Sequence, residues 1–162
     1  MKKLHLILLL FCSVSINAQI TDLAEFVRVS EMPLRRLTTL FNYDGWNISR
    51  PTERVENEVV IGRYTFSFTY NKGSAKQIIY RDIRMHIDSG YKLISTRLTS
   101  NDKSLYELII KELKAYGFKL NFKTENGKSF YSNHKYKIII YTQSSKDISL
   151  SKGYYMISKV KS

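Results

Sequence analysis

Twice along this chain a helical hydrophobic period gives way to a strand period, and both times a glycine followed by an aromatic residue marks the change. In SLYELIIKELKAYGF, Leu105, Leu108, Ile109, Leu113 and Tyr116 recur at helical spacing. Gly117 then supplies the positive φ that ends a helix without a side-chain clash. Phe118 opens FKLNF, where Phe118, Leu120 and Phe122 alternate with Lys119 and Asn121. In PLRRLTTLFNYDGW, Leu34, Leu37, Leu40 and Phe41 form the stripe, Pro33 suits the first turn, and Gly45-Trp46 stands where Gly117-Phe118 stands in the other segment. A helix with one apolar stripe, followed at once by period-two segments, has to bury that stripe on a sheet.

Each helix leads into a series of strands, and both series end on nearly the same phrase, GYKLIS at Gly90–Ser95 and GYYMIS at Gly153–Ser158. After the first helix, VVIGRYTFSFTY alternates Tyr64, Phe66, Phe68 and Tyr70 with Thr65, Ser67 and Thr69. RDIRMHID then points Ile83, Met85 and Ile87 inward. After the second helix, ENGK at Glu125–Lys128 signals a tight hairpin turn, followed by strand patterns in KSFYS and KYKIIIYTQ. The expected architecture is α+β, with two tandem helix-then-antiparallel-strand units at 33–99 and 102–162 and the helices packed on one face of the sheet. Two such units join edge to edge into one long sheet, whose other face stays polar and solvated. From glycine to glycine the first unit spans 45 residues (Gly45 to Gly90) and the second 36 (Gly117 to Gly153). The extra length is expected around Asn71–Lys76. Ahead of both units, TDLAEFVRVS reads as a short helix capped by Thr21. Ser104 and Glu107 have capping-box spacing, with Asp102 as the alternative cap.

The first 18 residues read differently. Two lysines, an apolar run and Ala18 at a cleavage position form the pattern of a secretory leader. The run is shorter than the ~20 apolar residues of a spanning helix, so no membrane span is expected in the mature chain. Cys12 follows Phe11 inside that run, which does not suit a lipoprotein signal. Without the leader, 19–162 forms a single domain with no cysteine. That excludes a disulfide, a thiolate nucleophile and a cysteine metal site. Lys2 and Lys3 leave with the leader, so 24 basic residues face 14 acidic ones and the formal charge is +10. The expected location is the periplasm or the extracellular space.

HExxH, G-x-S-x-G, C-x-x-C and Gly-rich phosphate-loop patterns are all absent. The mature chain has two histidines. His134, in SNHKYK, belongs to an exposed turn. His86 belongs to RDIRMHID, where Asp82, Arg84, His86 and Asp88 share one face of a strand. A histidine between two carboxylates suits a metal or a base held in one tautomer, which makes Asp82, His86 and Asp88 the metal candidates. Arg84 would repel a cation there, and the plainer reading is a solvated polar face. No cofactor is expected. Lys and Arg alternate with apolar residues along many strands, as in KYK and SKVK, instead of gathering in one stripe, so nucleic acid is not the expected partner. Asn47-Ile48-Ser49 fits a glycosylation pattern too short to carry weight.

The NAQ-type leader end, the helix closing in YGF and the paired GY-x-x-IS phrases resemble small secreted proteins of Bacteroidota. The tandem helix-plus-sheet plan is similar in architecture to beta-lactamase-inhibitor protein, which grips its target with a concave sheet face; no residue is carried over from either. The expected function is an exported, non-enzymatic binding module that presents a polar, basic sheet face to a protein or to an anionic glycan or lipopolysaccharide. Arg84 and His86 are the expected contacts in the first unit, with Lys135 and Lys137 in the second. The alternative is a metal-binding or hydrolytic protein built on Asp82, His86 and Asp88.

Overall fold

The computed structural model describes residues 19–70, 75–125, 127–143 and 153–160. The expected leader and most of the Asn71–Lys76 segment lie outside them. The described elements are three helices, α1 (Leu23–Glu31), α2 (Leu34–Tyr43) and α3 (Lys103–Ala115), and nine strands. The strands of the first unit are β1 (Asn47–Ile48), β2 (Thr52–Glu56), β3 (Val59–Tyr70), β4 (Ala75–His86) and β5 (Lys92–Ser100). Those of the second are β6 (Lys119–Lys123), β7 (Ser129–Ser132), β8 (Tyr136–Gln143) and β9 (Gly153–Val160).

All nine strands belong to one antiparallel sheet in the order β1-β3-β4-β5-β9-β8-β7-β6, with β2 also paired to β3. The two strands that carry the repeated phrase are neighbours at its middle. β5 and β9 run antiparallel from the Ile94–Val160 pair to the Ser100–Tyr154 pair. The fold is therefore α+β, with two helix-then-strand units meeting edge to edge. The hairpin β3–β4 has strands of 12 residues each, against 4 and 8 for β7 and β8. The first unit's extra length thus goes into long strands and not only into the turn between them. β1 and β2 escaped the sequence reading because every residue in them is exposed and no period shows.

Both helix–glycine–aromatic segments close in the same way. Gly45 has φ +76° and Gly117 +72°. The N–H of Trp46 donates to the carbonyl of Phe41 and that of Phe118 to Leu113, each at 2.9 Å. These are Schellman closures, and they turn the aromatic ring back under its own helix. Trp46 stacks on Phe41 with centroids 4.4 Å apart. Asp102 caps α3, accepting from the N–H groups of Ser104 and Leu105, and the cap of α1 is Asp22 instead of Thr21. Pro33 sits at the cap position of α2, one residue before its first turn.

The three helices lie on one face of the sheet over a single core. Phe26, Leu37, Phe41, Ile109 and Leu113 from the helices meet Phe66, Ile79, Leu98, Ile138 and Ile140 from the strands. Leu108 and Tyr116 are exposed, so the buried stripe of α3 is the narrower line Leu105–Ile109–Leu113. α1 crosses the middle, touching β5, β9 and α3. Its first turn gains an acceptor from α3, where the Glu112 carboxylate takes the Leu23 N–H at 2.8 Å. Among the described residues no helix is long and apolar enough to cross a membrane.

Candidate functional site

β4 sets the chemistry of both sheet faces, because its side chains alternate between them. Gln77, Ile79, Arg81 and Ile83 face the helices; Tyr80, Asp82, Arg84 and His86 face the other way. The cross-strand pairs extend this division. Tyr80 lies opposite Thr65 and Arg97, Asp82 opposite Arg63 and Ser95, and Arg84 opposite Ile61 and Leu93.

On the helix-free face, Arg63 grips Asp82 through two hydrogen bonds, Nε at 2.7 Å and Nη2 at 2.8 Å. The fork geometry is bidentate, the strong form of the pair. The Arg97 guanidinium lies 4.3 Å from the Tyr80 ring centroid and that of Arg63 lies 5.5 Å away. Tyr80 thus serves two cations as a π-surface. Among the described residues Arg84, Arg97 and Lys137 make no ion pair, and the Nε of Arg97 is buried without a partner. Lys137 shares this face; β5 and β9 separate its strand from β4, which puts it roughly 15 Å from Arg84 at ~4.8 Å per strand.

The face continues into the second unit with a change of character. The register of β6 shifts between Leu120 and Phe122, which places Phe122 opposite Phe130. The two rings stack with centroids 4.3 Å apart, and Phe122 is 53% exposed. Period two alone had placed Leu120 and Phe122 on one side; the bulge separates them. The face is not exposed throughout, since Ile78 and Thr99, which lie opposite each other, are buried.

Of the four expected contacts, Arg84, His86 and Lys137 share this face. Lys135 does not. Its ammonium bonds the Glu31 carboxylate on the helix side, and the Tyr136 hydroxyl donates to the same oxygen. The two donors, Lys135 foremost, hold the Glu31 carboxyl below the ordinary range. Met85 and Ile87 also depart from expectation: both are largely exposed, at the end of the β4–β5 hairpin. The metal candidates do not assemble. Asp82 is engaged by Arg63, and among the described residues no group of three His, Cys, Asp or Glu side chains is placed to hold a metal ion. His134 is exposed in the turn before β8. A shallow depression of about 260 Å³ lies beside it, between Tyr91 and Leu93 on one side and Lys135 and Lys137 on the other.

Sequence reasoning missed Arg63, Tyr80 and Arg97. Tyr80 has the parity of Asp82 and Arg84, so extending that face two residues back would have found it. Its cationic neighbours needed the strand register. A comparison with protein families, curated proteins and solved structures finds no match for this chain.

Proposed function

We propose that this chain is an exported, non-enzymatic binding module whose helix-free sheet face engages a protein or an anionic envelope polymer. The observation that carries this reading is the Arg63–Tyr80–Arg97 cluster. It is a held, partly desolvated group of cations around an aromatic surface, with Arg84 and Lys137 unpaired nearby and one carboxylate, Asp82, already neutralised. Arginine and tyrosine are, with tryptophan, the side chains most enriched among the residues that anchor interfaces. Excess positive charge adds steering toward an anionic surface. The leader pattern supports export, and the similarity in sequence texture to small secreted proteins of Bacteroidota is consistent with it.

The test is retention of bacterial envelope components on the immobilised full chain, eluted by a salt gradient and identified by mass spectrometry and glycan analysis. The wild type is expected to retain a discrete partner. The double variant R84E/K137E is expected to bind it at least about tenfold more weakly, and to release it at lower salt. A protein partner that resists salt would identify specific recognition, and a glycan released steeply by salt would identify charge attraction. A blank column, or a double variant that binds like the wild type, rejects the proposal.

A further inference from the structure

The sheet is open, so each of its outermost strands has one edge with no neighbour among the described residues. β2 (TERVE) lies at one end and β6 (KLNFK) at the other, and every residue in both is exposed. Such an edge is a template for pairing with another chain. From β2 through β3, β4, β5, β9, β8 and β7 to β6 there are eight strands, each antiparallel to the next. Eight is even, so β2 and β6 run in opposite directions. A second copy set beside the first, with its helices on the same side, therefore brings its β2 antiparallel to the first copy's β6.

The backbone phases agree with that placement. In an antiparallel pair, alternate residues direct their N–H and C=O groups toward the neighbour, and the others direct them away. The Ile87 N–H donates to the Glu58 carbonyl at 3.0 Å, which fixes the phase of β3. Carried across the β2–β3 register, that phase turns the backbone groups of Glu53 and Val55 away from the sheet. At the other edge, the Thr124 N–H donates to the Lys128 carbonyl at 2.9 Å and the Asn133 N–H to the Tyr136 carbonyl at 3.0 Å. The same alternation turns Leu120 and Lys123 outward on β6, with the bulge between them.

With Glu53 set opposite Lys123, the other side chains fall into step. Arg54 meets Phe122, Val55 meets Leu120 and Glu56 meets Lys119. Each pair shares a face: Glu53, Val55, Leu120 and Lys123 have the helix-side parity, and the other four have the opposite one. Two of the pairs join opposite charges, one joins two exposed apolar side chains, and one sets a guanidinium against an aromatic ring. Glu53, Lys119 and Lys123 make no ion pair among the described residues. Glu56 already meets Arg54 at 3.1 Å, an exposed contact that Lys119 would share. Like edges do not match. β6 against a second β6 gathers four lysines in one seam, and β2 against a second β2 gathers four glutamates, and like charges across strands are destabilising.

We propose that copies of this chain associate head to tail, β2 of one on β6 of the next, so that the sheet continues from molecule to molecule. The contact is heterologous and leaves a free edge at each end, so the assembly grows beyond a dimer. It uses the ends of the sheet and does not depend on the ligand proposed for the helix-free face.

Sedimentation equilibrium of the full chain tests this. The weight-average mass is expected to rise at least about twofold between about 10 μM and about 500 μM, as suits a small interface, and to fall back at high salt. The double variants E53K/E56K and K119E/K123E are each expected to weaken association at least about tenfold, with circular dichroism and melting temperature unchanged because all four side chains are exposed. An equal mixture of the two is expected to regain association, since each variant's edges match only the other's. Leu120→Pro deletes an outward N–H and no bond within the sheet, and is expected to abolish association. A wild type that stays monomeric, or that stops at a dimer, overturns the proposal. So does association untouched by the charge reversals or by Leu120→Pro, or a mixture that does not regain it.

Discussion

Glu31 is one residue on which two layers of the molecule meet. It ends α1, yet its carboxylate accepts from Lys135 and Tyr136, which stand at the start of β8. Those donors lower its folded-state pKa relative to the ordinary 4.5. A depressed carboxyl contributes stability that is present above its unfolded pKa and is lost as pH falls through the folded value. The wild type is therefore expected to lose more stability between about pH 5 and about pH 3 than Glu31→Gln does, measured by urea unfolding at each pH. The side chain is 40% exposed, so solvent screens the pair and the difference is expected to stay small. Parallel acid limbs in the two proteins would show that the contact contributes nothing in solution. Gln77 illustrates a different residue-scale constraint. It is fully buried, and its amide exchanges two 2.8 Å hydrogen bonds with the backbone of Ile20, fastening the segment before α1 to the sheet.

At the scale of elements, the helix closures show why part of this fold is legible in the sequence. A Schellman turn needs a residue with positive φ, and glycine is the one side chain that meets no penalty there. A backbone requirement thus becomes a letter. At Gly45 and Gly117 an added Cβ would meet nothing within 4 Å, so Gly45→Ala and Gly117→Ala are each expected to cost only the conformational price of about 1–2 kcal/mol. Equilibrium urea unfolding measures this; a loss well beyond that range would point to packing at the closure instead. The aromatic alternation of β3 was legible for a similar reason, since Phe66 is buried where period two placed it. The bulge at β6 was not legible, because an inserted residue leaves no mark in residue type. Nor was the fate of Arg81 and Gln77, although a hint was present: both share the parity of Ile79 and Ile83, and a polar side chain in the inward phase of a strand must find a partner. The partners lie at the end of α1 for Arg81 and in the segment before α1 for Gln77, some fifty residues away, and no local pattern carries that information. The same limit applied to the site. Arg84, His86 and Lys137 followed from parity alone, whereas Lys135 was drawn to the other side by Glu31.

For the molecule as a whole, the two units are expected to unfold as one. They share the β5–β9 pairing, and α1 lies across that junction with Phe26 in the common core. Phe26→Ala is expected to lower stability by about 3–5 kcal/mol while keeping one transition, recorded both by far-ultraviolet circular dichroism and by the fluorescence of Trp46 in the first unit. Two separated transitions would mean that the units are independent bodies joined at an edge. The central place of β9 also has a consequence for how the chain is made. Ribosomes produce it after every other described strand, so during synthesis β5 and β8 each present an unpaired edge with nothing between them. The strands within each half can pair in order of emergence, but the two halves cannot join until β9 is made, and a message truncated before codon 153 would leave two sticky hairpin clusters with no strand to join them.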